Sequence, residues 1–150
     1  MKARLLLAES ATTHPDGTIS MMRAGITNVW GEKPPVNLQA SLVTRIEADL
    51  GDVGNHQIEI MCMDEDGKEV MPKLDGQFQV ARGGGHNNIL LNFGFGFPSF
   101  GLFTFVVRVD HVQYDTWSLR VAAAPPGAAQ SVPGQAPTQV PPPDGEGTVH

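Results

Sequence analysis

The chain offers four places where residue type and spacing could do chemistry. Asp64, Glu65, Asp66 and Glu69 put four carboxylates within six residues, the oxygen-rich donor set that a hard cation such as Ca²⁺ takes. The twelve-residue loop with its terminal Glu is missing, however, and Asp66-Gly67 is a hairpin turn signal in its own right. A turn is the preferred reading. Arg82-Gly83-Gly84-Gly85 could cradle a phosphate on backbone N–H groups, but no Lys-Ser/Thr follows it and no helical pattern stands behind it. His86, Asn87 and Asn88 share that glycine-rich loop, and loops on rigid scaffolds often carry function. Arg82, His86, Asn87 and Asn88 are therefore the candidate ligand residues, for a small molecule or a carbohydrate.

The five histidines (His14, His56, His86, His111, His150) lack metal-ligand spacing such as His-x-x-x-His, and turn positions account for most of them. Cys62 falls on the apolar face of a strand pattern, where a thiol behaves as a small inert hydrophobe. No Gly-x-Ser-x-Gly elbow occurs. No catalytic residue, cofactor or metal ligand is assigned, and a non-enzymatic protein is expected.

The elements that would position these residues are strands. In Gln57-Ile58-Glu59-Ile60-Met61-Cys62-Met63, Ile58, Ile60 and Cys62 share one face while Gln57 and Glu59 share the other. Such period-two patterning marks a strand with one wet side. Lys68–Met71 reads as a short strand limited by Pro72, and Gly76–Ala81 alternates with Phe78 and Val80 inward. Gly83–Asn88 reads as a flexible loop, and Leu91–Phe97 places a large apolar residue at every second position. Gly101–Asp110 and Tyr114–Val121 form a closing hairpin with Phe103, Phe105, Val107, Val109, Trp117, Leu119 and Val121 inward. Earlier in the chain, Thr18–Val29 reads as one β-branched strand with a bulge at Gly25. Val36–Asp49 fits helical spacing through Leu38, Leu42 and Ile46. Strand is preferred because Leu42, Thr44 and Ile46 also fit alternation and no N-cap precedes Val36.

About eight strands and little helix predict an all-β antiparallel sandwich, immunoglobulin-like or jelly-roll-like, over residues 1–121. Seven of the twelve prolines follow residue 124. Residues 122–150 are expected to be a disordered Pro/Ala/Gly-rich tail, because such composition cannot repay its ordering entropy. Val140-Pro141-Pro142-Pro143 within it favours a polyproline II turn.

The net charge of −6 and the scatter of ten Lys and Arg along the chain provide no concentrated basic face, so neither nucleic acid nor a membrane is an expected partner. Met1–Glu9 has an apolar stretch too short for a signal peptide, and no run of about 18 apolar residues spans a bilayer. With one cysteine, no intramolecular disulfide forms. A cytoplasmic or particle-borne setting is expected. Met21, Met22, Trp30, Met61, Met63 and Phe100 do not all fit inward positions, and Met and Trp are enriched at interfaces. A protein partner or self-association is the expectation they carry.

Three stretches, Ala8-Glu9-Ser10-Ala11 through Ala24-Gly25-Ile26, Asp64-Glu65-Asp66-Gly67, and Gly101-Leu102-Phe103-Thr104-Phe105, resemble a domain-of-unknown-function family of small bacterial and phage-associated proteins. The resemblance covers roughly residues 2–121 and implies no activity, so it assigns no functional residue. The final hairpin also resembles that of immunoglobulin-type sandwiches. Phe103 stands where a tyrosine would make the corner hydrogen bond, and a phenylalanine cannot make it.

Overall fold

The computed structural model describes residues 1–125. Nine strands follow in order: β1 (Lys2–Thr13), β2 (Ile19–Ala24), β3 (Asn28–Gly31), β4 (Val36–Ala48), β5 (Gly54–Met63), β6 (Leu74–Val80), β7 (Gly85–Phe97), β8 (Gly101–Val109) and β9 (Val112–Ala123). The only helical turn among the described residues is the 3₁₀ segment Leu50–Asp52. The strands make a four-stranded sheet, β2-β1-β4-β7, and a five-stranded sheet, β3-β9-β8-β5-β6.

Alternation decides which side chains meet between the sheets. Leu38, Leu42 and Ile46 of β4, Ile58, Ile60 and Cys62 of β5, and Phe103, Phe105, Val107 and Val109 of β8 join one buried cluster. Ring pairs from opposite sheets tie the layers together. Phe93 meets Phe105 at 5.5 Å between centroids, and Phe97 meets Phe103 at 4.8 Å. Burying each such ring contributes about 1.5–3 kcal/mol. Two polar contacts add specificity at the layer edge. The Leu5 N–H donates to Asp115 Oδ2 at 2.8 Å, and Trp117 Nε1–H donates to the Ile26 carbonyl at 2.7 Å. The β8–β9 turn rests on Asp110 and His111, both at positive φ (49° and 68°), the mirror-image turn whose twist suits a two-residue hairpin.

Several expectations change on contact with the structure. Thr18–Val29 is not one strand. Gly25, at φ 91°, ends β2 in one sheet, and β3 begins three residues later in the other. There β3 runs parallel to β9, from Asn28↔Arg120 to Gly31↔Ala123, so one pair is parallel where an all-antiparallel arrangement was expected. Lys68–Met71 makes only the isolated bridge Met63↔Glu69. Gly83–Asn88 is not a flexible loop: β7 begins at Gly85 and pairs with β4 over its whole length, from Ala48↔Gly85 to Val36↔Phe97. Glu59 does not face water; its side chain is only 6% exposed, beside Lys73 Nζ at 3.1 Å. Finally β9 runs to Ala123, two residues past the expected boundary. The remainder of the expected tail, with Val140–Pro143, lies outside the described residues.

Candidate functional site

The four candidate ligand residues do not converge. Inward positions on β7 are odd-numbered, since Leu42 faces Leu91 and Ala40 faces Phe93 across the ladder. Asn87 therefore points between the sheets, while His86 and Asn88 point outward. His86 Nε2 lies 3.8 Å from Glu47 Oε1, and Asn88 Nδ2 donates to the Gly17 carbonyl at 2.9 Å. Arg82 is exposed in the turn before them.

The other chemistry-bearing residues serve the fold. Asp64 Oδ1 accepts from the Asp66 and Lys68 N–H groups at 3.0 and 2.9 Å, and Glu65 Oε1 accepts from the Leu102 N–H at 2.9 Å. Two of the acidic-turn carboxylates are thus committed to backbone donors rather than aimed at a shared cation. Among the described residues no group of three or more His, Cys, Asp or Glu is arranged to hold a metal ion. Burial pushes the Cys62 thiol up to about 12, which removes the thiolate a nucleophile needs.

The Asn88–Gly17 bond reveals a feature invisible to local patterning. β1 pairs with β4 only as far as Ala8↔Ser41. Beyond that point it pairs with β2 alone, from Ala8↔Ala24 to Thr13↔Ile19. The tip of this two-stranded ribbon touches the outward face of β7, so the ribbon bends back over the outside of its own sheet. Between ribbon and sheet lies an open groove of about 680 Å³, bordered by Glu9, Ser10, Gln39, Ser41, Asn92 and Gly94 among others. Ser41 Oγ donates to Asn92 Oδ1 at 2.6 Å on its floor, and Arg23 pairs with Glu9 at 3.3 Å on the ribbon.

This two-sheet domain coincides with the reach of a family model for a family of unknown function, DUF6941, which matches residues 3–122. The chain belongs to that family. No curated protein matches it. The DUF6941 domain thus includes both sheets, the ribbon and the groove, and no helix among its described residues is long and apolar enough to cross a membrane.

The exposed apolar side chains of this DUF6941 chain are partly those the sequence singled out. Met22 and Met21 stand out on the ribbon at 67% and 41% exposure, Trp30 on β3 at 54%, and Phe100 before β8. Met61 is buried instead, on the outward side of β5, and Met63 is half-buried. Leu102 and Val112, exposed as well, carried no sequence signal, because only ladder neighbours decide which outward positions are covered; Leu50, also exposed, lies in the 3₁₀ turn.

A second exposed feature is backbone. Among the described residues β7 is an edge strand, bonded only to β4. The Leu5 N–H and the Leu7 carbonyl both bond away from β4, to Asp115 and to Gly25 and Ile26. Leu6 and Ala8 are therefore the β1 residues that bond β4, at Val43 and Ser41. Carried one strand further, the alternation joins Leu42 and Thr44 to Leu91 and Ile89. The even-numbered residues of β7 are left with N–H and C=O groups directed at the open edge. Sequence reasoning missed this edge, since alternation reports faces and not neighbours.

Proposed function

We propose that this chain is a non-enzymatic β-sandwich of immunoglobulin type that acts as an assembly module, adding a protein strand at the open edge of β7. The resemblance to small bacterial and phage-associated proteins is in keeping with an accessory part of a larger complex in a reduced compartment. Neither nucleic acid nor a membrane is assigned as a partner, because the basic residues are scattered.

The immunoglobulin reading is supported by strand order. In that fold strands A, B, E and D form one sheet and C, F and G the other. Here β1, β4 and β7 take the places of A, B and E, and β5, β8 and β9 those of C, F and G. Among the described residues strand D has no counterpart: only four residues separate β6 from β7. The place beside E where D would lie is the edge of β7.

One observation carries the function: β7 is thirteen residues long, unpaired on one side among the described residues, and undefended. Natural edge strands are shortened, bulged, or guarded with charges and proline, because unpaired N–H and C=O groups template another strand. β7 contains no Lys, Arg, Asp, Glu or Pro, and its ladder with β4 runs without a register shift. Strand addition is a common mode of protein recognition. Gly94→Pro tests the reading. The Gly94 N–H points to the open edge and a Cβ there meets only the Gln39 side chain, no nearer than 3.5 Å, so the β4 ladder survives while the edge is blocked. Affinity capture with the full chain as bait should lose its specific partners on this change; capture unaltered by Gly94→Pro would refute it.

A second reading, a small-ligand or carbohydrate module, is favoured by the groove beneath the ribbon, with Glu9, Gln39, Ser41 and Asn92 as its polar groups. A ligand-dependent rise in melting temperature abolished by Gln39→Ala would favour it over strand addition.

A further inference from the structure

We propose that the strand completing this edge is β7 of a second copy of the chain, lying antiparallel and centred on Leu90. This rests on the reading that the edge takes a protein strand, and it names that strand.

The choice of occupant follows from comparing the four sheet edges. β3 is four residues long, β2 carries Arg23 and β6 carries Asp75, each a device that discourages further pairing. Only β7 is long and free of formal charge among them. A charge-free strand can meet itself without like-charge repulsion, and an antiparallel pair of identical strands is self-complementary by two-fold symmetry.

The register follows from the side chains. With Leu90 opposite itself, Asn88 meets Asn92 of the second copy, and His86 meets Gly94 of the second copy, where no side chain competes for space. Leu90 already ends an outward apolar row, Leu6–Val43–Leu90, across three strands. The second copy extends that row without a break. Asn88 Oδ1 and Asn92 Nδ2, the amide atoms not already engaged by Gly17 and Ser41, can bond across the strands. Sliding by one residue to centre on Leu91 would instead set Leu90 against Asn92 and Asn88 against Gly94. Five even-numbered residues per copy, His86 to Gly94, exchange about ten hydrogen bonds.

Disulfide trapping in the full chain tests both partner and register. In this pairing two copies of Leu90→Cys lie about 5.5 Å apart at Cα, within bridging distance. Two copies of Gly94→Cys lie about 26 Å apart along the strands. Under mild oxidation Leu90→Cys should form a covalent dimer, Gly94→Cys should not, and the buried Cys62 should contribute none. Light scattering on the cysteine-intact wild-type chain guards against a folding defect in the variants. Its mass should double as concentration rises, and Gly94→Pro should hold it at the monomer mass. A monomer at every concentration, or equal trapping at 90 and 94, would overturn the proposal. The broader reading is judged separately: if wild type stays monomeric yet its capture of other proteins is lost on Gly94→Pro, strand addition stands and the second copy falls.

Discussion

His56 Nδ1 lies 2.6 Å from Asp110 Oδ2, and its other ring nitrogen, Nε2, lies 2.5 Å from the Asp52 carbonyl. Both nitrogens face acceptors, so only the doubly protonated ring satisfies both at once. The ring also stacks on Phe78, with centroids 5.4 Å apart. The hydrogen bond to Asp110, then that to the Asp52 carbonyl, raises the His56 pKa above its ordinary 6.5. The Gln57 N–H, then His56, lowers that of Asp110.

The linkage has a definite sign. A histidine whose folded pKa is raised contributes stability that is fully present below about 6.5 and is lost as pH rises through the folded value. Asp110 contributes above about 3.9 and loses its share as pH falls through its depressed value. The pair therefore helps most between about pH 4 and 6.5. The wild-type melting temperature should fall between pH 6 and pH 8.5 relative to His56→Gln, whose profile should be flatter over that range. An imidazole titration by NMR that places His56 below 6.5 would contradict the assignment.

Gly84 tests the rigidity of a segment that composition suggested was loose. It sits at φ +74°, and a Cβ there would approach the Ala48 carbonyl oxygen to 2.5 Å. Gly84→Ala should therefore cost about 2 kcal/mol or more, from left-handed strain plus a clash with backbone that cannot move aside. Gly83, at φ +101° with nothing within 4 Å of its Cβ position, carries the strain without the clash. Urea denaturation of the two variants should show the larger midpoint shift for Gly84→Ala. Equal shifts would mean the turn yields.

The same segment shows what the sequence could and could not tell. Alternation located β5, β8 and β9 and decided for strand over helix in β4, because each has one face that must be dry. It failed at His86-Asn87-Asn88, where glycine and amide composition resembles a loop. The pairing with Arg45, Ile46 and Glu47 that makes these residues a strand lies some forty positions away. It failed at Gly25 for a related reason: a bulge and a change of sheet look alike until β9 supplies the parallel partner. Glu59 reads as a wet residue because period two cannot foresee Lys73 and His111, at 3.1 and 3.7 Å, approaching it from separate turns. The edge of β7 was illegible for the deepest reason. An unpaired strand and a paired one carry the same local pattern.

Cys62 should report unfolding rather than chemistry. It is fully buried on β5 opposite Phe105, and burial raises its thiol well beyond the range of a useful nucleophile. In native buffer near pH 8, a thiol reagent such as Ellman's should label no cysteine on the minutes timescale. Labelling should appear with the same denaturant dependence as the loss of β-sheet signal. Rapid labelling of the native chain would show that β5 opens locally.

Asp115 is expected to matter more than its place near the end of a hairpin suggests. Its carboxylate accepts the Leu5 N–H across the gap between the two sheets, and among the described residues β1 has no strand on that side at this level to satisfy the donor. Asp115→Ala leaves a part-buried N–H unpartnered, a loss of about 1–3 kcal/mol. Asp115→Asn keeps an acceptor oxygen but no charge, and should lose about half of that. Urea midpoints would rank wild type above Asn and Asn above Ala. If Asn and Ala were equally destabilised, charge rather than the hydrogen bond would be the stabilising element. An unchanged midpoint in both would mean that water replaces the carboxylate at the Leu5 N–H without cost.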